Sequence, residues 1–226
     1  MRQIFEGEIL DVQPMENGIC FVFVAEKDYD TKSLEVEFKT ISFSSGKMSK
    51  APKNVYFLAK FGTRYKTIMQ HCTNYTDAKI LHLPQERIFV LNRKDGAAVL
   101  LDSFGLPLWI SNISYKGSAP NDIAFVNDCL WAAFKEHDAI IKLNLSNMKE
   151  ELRIGGGKNS PFKKPFRLLP TENGLSVLGA EDHKVIDLDL NDYSITERHS
   201  FEESVKDYIR VGEFEFAVLK DGLYII

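Results

Sequence analysis

Residues Pro120 to Leu145 read PNDIAFVNDCLWAAFKEHDAIIKLNL. Three short apolar runs lie in this stretch: Ile123–Val126, Leu130–Phe134 and Ala139–Leu145. Asn127-Asp128 separates the first two, and Glu136-His137-Asp138 the last two. Turn residues at such short spacing would break a helix at every turn, so the stretch predicts an antiparallel meander. Trp131 with Ala132-Ala133 places bulk beside small side chains, as packing between sheets requires.

The same pattern recurs along the chain. The first runs of successive units begin at Ile80, Ile123, Leu168 and Ile209, spaced 43, 45 and 41 residues apart. Second runs follow at Arg87–Leu91, Leu130–Phe134, Leu175–Leu178 and Phe214–Leu219, and third runs at Ala97–Leu101, Ala139–Leu145, Lys184–Leu190 and Leu223–Ile226. Fourth runs are Leu108–Ile113, Glu150–Ile154 and Ser194–Ser200. Asp95-Gly96 and Asp221-Gly222 fall at two of the turns, where a pair tolerant of positive φ is preferred. Units of this length with four strands each predict a β-propeller.

The N-terminal portion reads as a longer copy. Its strands are expected at Ile9–Val12, Gly18–Ala25 and Leu34–Phe43, with a wide turn over Glu26–Lys32. A fourth is expected within Tyr56–Met69, after an insertion at 44–54 rich in Lys, Ser and Gly. The last unit ends after three strands, and Arg2–Phe5 can supply its fourth, removing an open seam. The prediction is thus an all-β single propeller of five four-stranded blades, forming one domain over 1–226. The blades fall at about 8–70, 76–114, 121–157, 165–202, and 206–226 plus 1–6.

PNDIAFVNDCLWAAF resembles the blade start common in NHL-type, lyase-type and gluconolactonase/regucalcin-like propellers, and KPFRLLPTENGLSVL looks like a degenerate copy. The resemblance covers roughly Thr76–Ile226 and is a signature of architecture shared by proteins of many functions. In gluconolactonase-like propellers the Asn of such a motif faces the central channel near a divalent metal. Here that position is Asn121, and the resemblance implies a metal there if anywhere. Those families have six blades and further acidic and Asn ligands, for which this sequence offers no matching positions.

Composition narrows the function classes. The 226 residues are 44% apolar and 12% aromatic, enough for a substantial core, and the net charge is −4. Without a basic surplus the chain does not read as a general nucleic-acid or anionic-membrane binder. Cys20, Cys72 and Cys129 are odd in number and lack metal-ligand spacing, so reduced thiols are expected. The start MRQIFEGEIL has no apolar signal core, and no window approaches the ~18 apolar residues of a membrane span. A soluble, cytoplasmic protein is expected.

In a propeller the residues just before each blade's first strand border the channel mouth. Here these are Glu8, Asp77 with Lys79, Asn121 with Asp122, Arg167, and Asp207 with Tyr208. A ring of carboxylates with one Arg could hold a cation, a sugar or a cationic side chain, of a small molecule or a protein. Alternatively, each caps a strand end through local hydrogen bonds.

Glu136-His137-Asp138 and Glu181-Asp182-His183 occupy equivalent turns and read as solvated turns. Gly155-Gly156-Gly157-Lys158 lacks the flanking residues of a phosphate loop and reads as a flexible inter-blade loop, with Lys158, Lys163, Lys164 and Arg167 making it basic. His71-Cys72 is no nucleophile pair, because adjacent side chains on an extended chain point apart.

No catalytic motif is present and no cofactor is required by one. The favoured expectation is a binding or interaction propeller. The alternative is a propeller hydrolase, metal-dependent and lactonase-like or glycoside hydrolase-like, drawing on Glu8, Asp77, Asp122 and Asp207.

Overall fold

A computed structural model of the chain describes residues 1–14, 20–26, 36–42, 48–71 and 77–226. Gly18, most of the expected wide turn after Ala25, the first part of the 44–54 insertion and Cys72 lie outside the described residues. The described chain forms five four-stranded antiparallel sheets, four of them meanders and one a three-stranded meander with a strand from the N-terminus added. They belong to two compact units, one of Met1–Met69 with Val205–Ile226 and one of Gln70–Ser204.

The Gln70–Ser204 unit holds three blades. The second blade comprises Ala78–Leu83, Arg87–Asn92, Ala97–Leu101 and Pro107–Asn112. The third comprises Asp122–Val126, Cys129–Phe134, Ala139–Leu143 and Glu150–Gly155. The fourth comprises Pro165–Pro170, Gly174–Gly179, Lys184–Asp189 and Ile195–Ser200.

The third blade is a sheet buried on both faces, which explains its almost uninterrupted apolar middle strands. Leu130, Ala132, Phe134 and Ile141 pack with Phe89, Leu91 and Leu100 of the second blade. The alternate residues Trp131, Ala133 and Ile140 pack with Leu168, Leu175 and Val177 of the fourth. Each large apolar side chain buried this way contributes about 1.5–3 kcal/mol. The Asn127-Asp128 turn places both residues at positive φ, 51° and 59°, the handedness that a two-residue hairpin needs.

The other unit holds the first and fifth blades. Arg2–Glu6 pairs antiparallel with Gly222–Ile225, so the N-terminal strand completes the fifth blade as expected. That blade also contains Asp207–Val211 and Phe214–Val218. Phe5, Ile9, Val12, Ile41, Phe216, Val218 and Leu223 share one core. Gly222 is not at positive φ; a Cβ there would lie 2.0 Å from the Phe5 carbonyl oxygen, so close approach of the closing strand requires glycine.

The first blade contains Ile9–Pro14, Cys20–Glu26, Val36–Ser42 and Met48–Lys50. Its fourth strand is therefore Met48–Lys50, inside the expected insertion, and not within Tyr56–Met69. The latter stretch is helical, over Lys53–Phe61 and Tyr65–Met69. Phe57, Phe61, Tyr65 and Ile68 recur at helical spacing, and Gly62, at φ 71°, ends the longer helix by donating to the Leu58 carbonyl. No helix among the described residues is long and apolar enough to cross a membrane.

Candidate functional site

The residues one position before the repeat anchors Ile80, Ile123 and Leu168 are Lys79, Asp122 and Arg167. They stand near the start of the first strands of three consecutive blades. The register Lys79↔Leu91, Asp122↔Ala133 and Arg167↔Leu178 holds each at the same end of its hairpin. Equivalent positions in neighbouring blades are adjacent, and the three side chains meet.

Asp122 is fully buried. Its Oδ2 accepts the backbone N–H of Leu168 at 2.9 Å. The Lys79 ammonium lies 3.0 Å from Oδ1 and the Arg167 guanidinium 3.8 Å from Oδ2, with the two cations 19% and 14% exposed. Burial pushes the Asp122 carboxyl upward, but Lys79, Arg167, the Leu168 N–H and the more distant Arg93 together outweigh it and hold the group below the ordinary carboxylate range. Three cations, Lys79, Arg167 and Arg93, thus act on this one carboxylate.

The other expected site residues have the following partners among the described residues. Asn121 Oδ1 accepts the Lys135 N–H at 2.9 Å, tying the head of the third blade to its turn. The Asp77 backbone carbonyl accepts both the N–H and the Nε–H of Arg93. In the other unit, Glu8 lies 3.7 Å from Lys206, and the Asp207 carboxylate accepts the N–H of Tyr208 at 2.8 Å. Tyr208, the counterpart of Asp122 in the fifth blade, is buried and donates its hydroxyl to Glu215 at 2.7 Å. Among the described residues, no group of three or more His, Cys, Asp and Glu side chains could hold a metal ion.

The turn clusters serve the loops. Asp138 Oδ1 accepts the Lys164 N–H at 2.8 Å, and its carbonyl accepts the Ser160 hydroxyl at 2.6 Å. These bonds pin the glycine-rich 155–160 loop. Gly155, at φ 82°, would place a Cβ 2.4 Å from that same carbonyl oxygen. Glu181 pairs with Lys164 at 3.5 Å. His137 Nε2 lies 3.1 Å from Ser118 Oγ and its ring meets Tyr115 edge-on, while Arg153 donates to the Tyr115 hydroxyl.

Arg93, just ahead of the Asp95-Gly96 turn, also acts on Asp122 and is absent from the channel-mouth positions expected above. The hairpin register Ala78↔Asn92 was the available signal, since it returns the residue after Asn92 to the level of Asp77.

No family model matches this sequence, and no curated protein does. Solved structures do resemble it in fold. The chain aligns over 98% of its length with 35% of the extracellular domain of BT4673 from B. thetaiotaomicron, at 14% identity and a TM-score of 0.56. It aligns over 93% of its length with 70% of a protein of unknown function from Bacteroides caccae, at 12% identity and a TM-score of 0.50. Streptogramin B lyase matches at 12% identity and a TM-score of 0.47, over 98% of this chain and 69% of that one. Together with the five four-stranded sheets, the first two matches define the fold class as β-propeller. At such identities the likeness is one of fold.

Proposed function

We propose that the protein is a binding propeller whose ligand site is built on Lys79, Asp122 and Arg167 and takes an anionic group, a carboxylate or phosphate of a small molecule. The supporting observation is the balance of charges acting on Asp122. One buried carboxylate is surrounded by Lys79 and Arg167, both partly open to solvent, with Arg93 behind them. Lys79 at 3.0 Å is the closer counter-ion, and Arg167 at 3.8 Å is beyond hydrogen-bond length from the same group. A guanidinium in that position is suited to a planar anion.

The same balance disfavours a hydrolytic role for Asp122. A general acid at neutral pH needs a raised pKa, and this group is held low. Asn121 Oδ1 already accepts the Lys135 N–H, which competes with a metal for that oxygen.

The test is a thermal-shift and calorimetric series with phosphate, citrate and sugar acids, set beside neutral sugars, Mg²⁺ and matched chloride. Anions are expected to raise Tm beyond the chloride control, and Arg167→Met to abolish that rise. The proposal is overturned if no anion exceeds chloride, or if Arg167→Met keeps the full shift.

A further inference from the structure

The outer strand of the second blade, Pro107–Asn112, differs from the outer strands of the other blades. Glu150–Gly155 carries Glu150, Glu151 and Arg153; Ile195–Ser200 carries Glu197 and Arg198; Arg2–Glu6 carries a charge at each end; Met48–Lys50 ends in lysine. Such charges keep open sheet edges from pairing with other chains. From Ser103 to Tyr115 this chain has no charged residue.

The strand is also exposed and apolar. Phe104, Leu106, Leu108 and Ile110 are 86, 63, 57 and 70% open to solvent. Phe104 is held out by an ordered turn, in which Asp102 Oδ1 accepts the N–H groups of Phe104 and Leu106, each at 2.8 Å.

The backbone geometry points to a particular partner. The Ile113 N–H donates inward to the Gly96 carbonyl. Alternation along an antiparallel ladder then turns Ser111 and Trp109 inward, and leaves the N–H and C=O of Ile110 and Asn112 facing out. A register shift opposite Leu100 and Leu101 breaks the alternation at Leu108. The usable edge is thus a short segment with two outward residues spaced by two.

We infer that this edge pairs with the same edge of a second copy of the chain, antiparallel, with the two-fold axis at Ser111. In that register Ile110 of each copy exchanges both hydrogen bonds with Asn112 of the other, satisfying every outward group. No charge faces another, and the Ile110 side chains meet diagonally on one face beside Leu108. The exposed side chains and edge offer on the order of 500 Å² per copy, about 1,000 Å² in total, the low end for a specific association. The pairing is therefore a concentration-dependent monomer–dimer equilibrium.

Sedimentation of the full chain across a concentration series tests this, together with Ile110→Lys, Ser111→Cys and Ile110→Cys. Both positions are exposed, so the fold tolerates the changes. The wild type is expected to dimerise, and Ile110→Lys to remain monomeric at every concentration used. Ser111→Cys is expected to form an intermolecular disulfide under mild oxidation, because the two Ser111 positions face each other. Ile110→Cys, opposite Asn112, is expected to cross-link no more than the wild type with its native cysteines. A monomeric wild type overturns the proposal and leaves the edge to a strand of another protein. A dimer that survives Ile110→Lys, or equal cross-linking at both positions, overturns it as well.

Discussion

The Asp122 carboxylate accepts the backbone N–H of Leu168 at 2.9 Å, joining the first strand of one blade to the first strand of the next. A side chain is thereby used where no sheet ladder runs. The acceptor is fully buried, and the cations Lys79 and Arg167 make that burial tolerable. The cluster is a staple between blades, and the carboxyl's hydrogen bond and its charge respond differently to substitution.

Asp122→Ala should cost about 3–5 kcal/mol, the penalty for leaving the partner of a buried charge uncompensated. Asp122→Asn should cost less, about 2 kcal/mol, because its amide oxygen can still accept from Leu168. Urea unfolding of the two variants measures the difference. If Asp122→Ala lies within the scatter of surface substitutions, the carboxylate does not join the blades.

The same group sets part of the acid limb of stability. Its folded pKa lies below that of an ordinary aspartate, so the unfolded chain takes up the proton first as pH falls. The stabilisation is complete above the unfolded pKa, declines as pH drops through it, and is lost once the folded carboxyl is protonated. The wild type should therefore lose its advantage over Asp122→Asn below about pH 5, while the gap between them stays constant from there to neutrality. Unfolding measured across that range checks the sign; a gap that widens on acidification would mean that Lys79 and Arg167 do not stabilise the ionised Asp122.

Closure of the fifth blade by the N-terminal strand rests on Phe5 and Gly222. Phe5→Ala removes a ring from the core formed with Ile9, Phe216 and Leu223, and should cost about 3 kcal/mol. Gly222→Ala drives a Cβ into the Phe5 carbonyl oxygen and should unseat the same strand without touching that core. Hydrogen exchange at Leu223 and Ile225, whose amides face Phe5 and Arg2, should accelerate in both variants. Unchanged protection at these amides would mean that the strand contributes little to closing the blade.

The repeat made most of this legible. A meander buried on both faces leaves near-continuous apolar runs between turns, and Asp122 was found because it precedes the Ile123 anchor. The same offset identifies Lys79 and Arg167, although nothing in the spacing says that Tyr208, at the fifth-blade counterpart, turns to Glu215 instead. Asp95-Gly96 and Asp221-Gly222 look alike in sequence, yet only Gly96 sits at positive φ. The second glycine answers to a strand from the far end of the chain. Met48–Lys50 is three exposed residues with no apolar alternation, so its place in the sheet is set by backbone pairing that composition does not reveal. Lys53–Phe61 is apolar enough to pass for a strand, and its helical period emerges only when Tyr65 and Ile68 are counted with it.

That helix offers the last test, since its docking is polar as well as aromatic. Tyr56 is buried against Phe38, with ring centroids 5.2 Å apart, and donates its hydroxyl to Asp11 at 2.5 Å. Lys60, one turn on, reaches the same carboxylate oxygen at 2.7 Å. Tyr56→Phe keeps the ring and removes one charge-assisted hydrogen bond, so it should cost about 1.5–3 kcal/mol. Lys60→Met removes the counter-ion of a carboxylate that is itself only 12% exposed, and should cost more, about 3–5 kcal/mol. Because both donors share one acceptor, the double variant should lose less than the two losses added. Urea unfolding of the four proteins measures that coupling. Strict additivity would mean that Asp11 does not join the two donors, and that aromatic packing alone seats the helix on the first blade.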